Sequence, residues 1–175
     1  MTLILLSGRP GAGKTKFAEW LHEHRGFTHI ETDTAAGWAT LEDLLNAFQS
    51  PEGTAIVRDK ARALGEKVVI EWGFRVDDFG WVRRLRDDAG FDAWWLDGDK
   101  QASFQGFVNA KSGTHSPKQL IDAVRKYQVQ ADAIEEARPQ LEEFYGDDHI
   151  IYTVTPGPTY LTFEKIASIM LPDER

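Results

Sequence analysis

At 175 residues the chain is long enough to bury one core without staples and short enough to be a single domain. It has no cysteine, which excludes disulfides and thiolate metal sites, and its formal charge of −8 argues against broad electrostatic binding to nucleic acid. No apolar run reaches membrane-span length, and the apolar start runs directly into a glycine loop, so the expectation is a cytoplasmic protein with no signal peptide and no membrane partner.

The first element is a short apolar strand, Thr2-Leu3-Ile4-Leu5-Leu6. It leads into Gly8-Arg9-Pro10-Gly11-Ala12-Gly13-Lys14-Thr15, a complete Gly-x-x-x-x-Gly-Lys-Thr pattern. From Lys16 a helix is expected, with Phe17, Trp20, Leu21 and His24 on one face and Gly26 just past its end. Strand, glycine loop and helix in that order give the pattern its mechanism. Successive backbone N–H groups curl around a phosphate chain at the positive end of the helix. Gly8, Arg9, Pro10, Gly11, Ala12, Gly13, Lys14, Thr15 and Lys16 are therefore the expected nucleotide-binding segment. Lys14 would reach the β- and γ-phosphates, and the Thr15 hydroxyl would ligate Mg²⁺.

Phe27–Glu31 reads as the second strand and runs into Thr32-Asp33. Thr40 is placed to cap a helix carrying Leu41, Leu44, Leu45 and Phe48, and Ser50-Pro51 to open another that stops at Gly65. Lys67–Glu71 is the third strand, short and β-branched. A helix over about Asp78–Ala89 buries Val82, Leu85 and Ala89. Phe91–Leu96 is the fourth strand, with Trp94-Trp95 half-buried on it. A further helix and a polar break at residues 111–115 follow, then a long helix from Pro117 with Leu120, Val124, Tyr127, Ala131 and Ile134 on one face. Ile150–Val154 is the fifth strand, and Phe163, Ile166, Ala167 and Met170 face inward from the last helix. Strands alternating with helices predict an α/β fold, a parallel sheet with helices on both faces. Ligands of such sheets lie beyond the carboxyl ends of the strands.

That rule selects the candidate site residues. Asp33 follows strand two, placed to face an acceptor hydroxyl and take its proton. Glu71 ends strand three after a run of apolar residues, as an acid holding a metal-bound water would. Asp97, after strand four, is a rival acid; Glu71 is preferred because strand three should adjoin strand one. Gly73 would let a substrate approach the backbone, and Arg75 would grip an anionic acceptor group. Arg58 and Arg62, four apart on one helix face, are further acceptor-side cations. Residues 111–116 have the Gly, Ser and Thr content of a mobile lid, with Lys111 as its cation. His22 and His24 lack a third ligand at matching spacing, so no metal is expected there.

Phosphate loop, acid after strand two, acid ending strand three, helical lid and late fifth strand together resemble the small P-loop kinases. The closest flavour is the group of zeta-toxin-like kinases, polynucleotide 5′-kinases, chloramphenicol phosphotransferase and shikimate or gluconate kinases. The resemblance spans nearly the whole chain. It implies a three-layer P-loop fold over residues 1–175, with five parallel strands ordered 2-3-1-4-5 and a lid at about 100–118. It also implies that Lys14 is phosphate ligand, Thr15 magnesium ligand and Asp33 catalytic acid or base, with ATP rather than GTP as donor. Lids of this group carry one or two arginines, whereas here none occurs between Arg86 and Arg125; Lys111 or Arg125 takes that role. The expected activity is ATP- and Mg²⁺-dependent phosphoryl transfer to a hydroxyl of a small metabolite, a nucleotide or a nucleic-acid end, the acceptor being anionic. The alternative is an ATPase or switch that acts on a protein partner.

Overall fold

Three parallel strands, each ending where the sequence turns from apolar to polar, carry the first half of the fold. The structure, a computed structural model, describes residues 1–31, 52–73, 79–157 and 159–172. The chain divides into two compact units, Met1–Ser7 with Lys14–Trp94, and Gly8–Gly13 with Trp95–Arg175.

In the first unit the strand order is β2-β3-β1, formed by β1 (Thr2–Gly8), β2 (Thr28–Glu31) and β3 (Lys67–Glu71). All pairings are parallel, with Leu6 and Glu31 both opposite Glu71. Ile4, Leu5, Leu6, Val68, Val69 and Ile70 are essentially inaccessible, as expected of strands covered on both faces. Each such side chain contributes roughly 1.5–3 kcal/mol of burial. Helix α1 (Lys14–Arg25) packs Phe17, Ala18 and Leu21 inward, and α2 (Gly53–Leu64) packs Val57 and Ala61. Helix α3 (Phe79–Asp87) buries Val82 and Leu85, and Gly90 at φ 74° turns the chain toward β4 (Asp92–Gly98).

The second unit holds the end of β4, then β5 (Ile150–Thr155) and β6 (Thr159–Tyr160), in the order β4-β5-β6. β4 and β5 are parallel; their register slips at Asp97/Gly98, a bulge at the carboxyl end of the strand. Helix α4 (Lys100–Ser112) is capped by Asp99, whose carboxylate accepts from the Ala102 amide at 2.9 Å. Helix α5 (Pro117–Glu136) opens with a capping box of Ser116 and Gln119 and Pro117 in the first turn. Helix α6 (Arg138–Tyr145), a 3₁₀ turn at Asp147–His149 and helix α7 (Phe163–Met170) complete it.

The elements depart from the sequence expectation in four ways. The described chain has six strands instead of five, and the added β6 pairs antiparallel with β5, so the sheet is mixed. Helix α1 begins at Lys14, two residues earlier than expected, directly off the glycine loop. Helix α6 was not anticipated. Trp94 and Trp95 are buried rather than half-buried, because this strand is covered on both faces; the Trp94 indole donates to Asp92 at 2.7 Å. The expected helix at 40–48 and the start at Ser50-Pro51 lie outside the described residues. No helix among the described residues is long and apolar enough to cross a membrane.

Candidate phosphate-binding site

The loop after β1 is shaped by glycine. Gly8, Gly11 and Gly13 all have positive φ, at 148°, 83° and 88°. A Cβ on Gly8 would sit 2.1 Å from the Leu96 carbonyl oxygen, and one on Gly11 2.0 Å from that of Ser103. Both positions therefore require glycine for space as well as for backbone angle. The loop's own turn closes through the Ala12 amide donating to the Arg9 carbonyl at 3.1 Å. Thr153, buried on β5, donates to the Ala12 carbonyl at 2.7 Å, and the Tyr160 hydroxyl reaches the Gly11 carbonyl at 3.4 Å. These bonds occupy the carbonyls of Arg9, Gly11 and Ala12.

Helix α1 starts at Lys14 with no acidic residue in its first turn. Proteins usually neutralise a helix N-terminus with Asp or Glu; here Lys14, Thr15 and Lys16 stand in that place. A helix end so furnished favours phosphate.

Thr15 and Glu71 are brought together. The Thr15 hydroxyl donates to Glu71 Oε1 at 2.8 Å, joining the start of α1 to the end of β3. Glu71 Oε2 is buried without a hydrogen bond, and His29 Nε2 lies 3.5 Å from it. One hydroxyl and one carboxylate suit Mg²⁺, which keeps most of its waters and takes one or two protein ligands alongside phosphate oxygens. Among the described residues no group of three or more His, Asp or Glu forms a metal cage. The rival acid, Asp97, is committed elsewhere: it is inaccessible and bound by Arg9 and Arg138. Burial pushes its carboxyl up, but the hydrogen bond and charge of Arg9, the Gly98 amide and the charge of Arg138 outweigh that and hold it below the ordinary range.

Sequence reasoning missed His29 and Glu31. The β2–β3 register places His29 opposite Val69 and Glu31 opposite Glu71, so all three polar residues share a sheet face. Period-two alternation along the two strands, read together, was the available signal.

The remaining candidates fall as follows. Asp33 and Arg75 lie outside the described residues. Gly73 is two residues past β3 and half-buried. Arg58 and Arg62 lie on the outer side of α2 and both face Asp59, at 3.4 and 4.0 Å. Lys111 is in the last turn of α4, and Arg125 is an exposed residue of α5 facing Asp122 at 3.8 Å. His22 and His24 face the carbonyls of Phe27 and Trp20 at 2.7 and 3.1 Å.

No protein-family model and no curated protein sequence matches the chain. Solved structures do. The chain is similar to a gluconokinase from Sinorhizobium meliloti 1021, at 16% identity and a TM-score of 0.50, over 98% of this chain and 90% of that one. It is also similar to a shikimate kinase from Bacteroides thetaiotaomicron, at 20% identity and a TM-score of 0.52, over 99% and 97%. The chain thus shares the α/β fold of these two structures.

Proposed function

We propose that the chain is a single-domain ATP- and Mg²⁺-dependent kinase that transfers the γ-phosphoryl group to a hydroxyl of a small metabolite, a nucleotide or a nucleic-acid end. The observation that carries this reading is the Thr15–Glu71 hydrogen bond of 2.8 Å, between the residue after Lys14 and the end of β3. It pairs the loop hydroxyl with a strand-end carboxylate, the donor set a magnesium–nucleotide complex uses. Similarity to a gluconokinase and a shikimate kinase, both named for hydroxyl-bearing small molecules, supports the acceptor class.

The roles follow from the residues. Loop amides and Lys14 bind the triphosphate, and Thr15 and Glu71 would hold Mg²⁺. That ion, when bound, neutralises charge between the β- and γ-phosphates. Asp33 accepts the acceptor's hydroxyl proton as its oxygen bonds to the γ-phosphorus and the bond to the β-phosphate oxygen breaks, releasing ADP. Arg75, with Arg58 and Arg62, is assigned to an anionic group on the acceptor. Lys111, from the lid at about 100–118, or Arg125, from the helix that follows it, is assigned to the charge that develops on the transferring group.

A screen of hydroxyl acceptors, read as ADP release from Mg-ATP, tests the proposal. Slow release alone and faster release with an acceptor, 5′-hydroxyl DNA included, is the expected result. Turnover indifferent to every acceptor but raised by a protein partner would replace the kinase with a switch.

A further inference from the structure

Arg9 stands inside the phosphate loop, yet its side chain is 1% exposed and turned into the protein. Nε donates to Asp97 Oδ1 at 2.7 Å and Nη2 to Glu135 Oε1 at 2.5 Å. Both carboxylates are held again from the far side. Arg138 Nη2 lies 3.0 Å from Asp97 Oδ2 and 3.3 Å from Glu135 Oε1, and Lys100 Nζ is 3.3 Å from Glu135 Oε2. Burial pushes the Glu135 carboxyl up, but hydrogen bonds from Arg138, Arg9 and Lys100 outweigh it and bring it to about 2. The cluster joins the loop, the end of β4, the first residue of α4, the last turn of α5 and the first residue of α6.

We propose that Arg9 is a positioning residue: its guanidinium ties the loop to the α5–α6 junction, so the loop holds its phosphate-binding shape before nucleotide arrives. The inference rests on the kinase reading above. Burying an ion pair gains little over packing apolar side chains, so stability alone is a weak reason for placing a charge here. Geometry is a better one. The planar fork addresses two carboxylates at fixed angles, which a lysine ammonium does not reproduce. The backbone of the same residue makes the loop: its amide donates to the Leu96 carbonyl at 2.9 Å and its carbonyl accepts from Ala12. Displacing the guanidinium therefore displaces the turn that aims the amides.

Binding of a fluorescent ADP analogue with Mg²⁺ should be measured for wild type, Arg9→Met, Arg9→Lys and Glu135→Gln, with melting temperatures and the KM and kcat for ATP. Expected is a Kd raised about tenfold or more in Arg9→Met, with KM rising in step and kcat little changed, alongside the lowered melting temperature that loss of a buried charge partner brings. Arg9→Lys should recover only part of the affinity, and Glu135→Gln should lose about two- to fivefold. Affinity within twofold of wild type in Arg9→Met, with a lowered melting temperature, would make the cluster merely structural. Should Arg9→Met not fold, Arg9→Lys and Glu135→Gln decide: both within twofold of wild type overturns the proposal. A wild-type protein that binds no nucleotide would sink the kinase reading itself, a result no Arg9 variant can mimic.

Discussion

The contact between Thr15 and Glu71 sets apart two acids between which the sequence already favours Glu71. Both follow an apolar strand, but Glu71 receives the loop hydroxyl while Asp97 receives two arginines. Glu71→Gln keeps the shape and removes the charge, so the Mg²⁺ concentration for half-maximal activity should rise about tenfold or more, with the fold intact by circular dichroism. An unchanged Mg²⁺ requirement would remove Glu71 from the metal site. Lys14→Ala should lose triphosphate binding and activity together, since it deletes a fixed cation on the transferring phosphates; calorimetric titration with ATP checks this. Arg75→Ala should raise the acceptor KM while leaving the ATP Kd unchanged, a split that steady-state kinetics with titration resolves.

At the scale of elements, the α5–α6 junction links stability to acid pH. Glu135 titrates at about 2 in the folded chain against an ordinary 4.5. A carboxyl lowered on folding adds stability that is complete above its unfolded value and is lost as pH falls through the folded one. The window is therefore pH 4.5 down to about 2. Discounted for the partial exposure of the side chain, the contribution is roughly 1–2 kcal/mol. Urea midpoints of wild type and Glu135→Gln should converge as pH falls from 6 toward about 2.5; parallel curves would show that the junction carries no such linkage. The same junction was illegible in the sequence. Ala137 provides no side-chain cap, and Pro139 sits in the first turn of a new helix, where it is tolerated, so the long helical pattern hid a break. Two-residue β6 was equally hidden, being too short for alternation to register. By contrast the third strand was read residue for residue, Lys67–Glu71, because β-branched residues between polar flanks have few other solutions.

Across the whole molecule, the strand, glycine loop and helix were legible because they form a local device: glycines, a lysine and a hydroxyl at fixed spacing between a strand and a helix. The residues proposed for an acceptor come from separate segments and obey no such spacing. The Arg9 cluster escaped for the same reason, its partners lying 88 and 126 residues away along the chain. The likeness in fold to a gluconokinase and a shikimate kinase extends over both units, which the glycine loop links covalently. The central claim is that the γ-phosphoryl group goes to a hydroxyl with Asp33 as base, and following the label of γ-labelled ATP tests it most directly. With an acceptor that stimulates turnover, label should enter that acceptor, and Asp33→Asn should slow its entry by roughly 10²–10⁴ with ATP affinity little changed. Label found only as inorganic phosphate with every acceptor, or an Asp33→Asn variant as fast as wild type, would contradict the account.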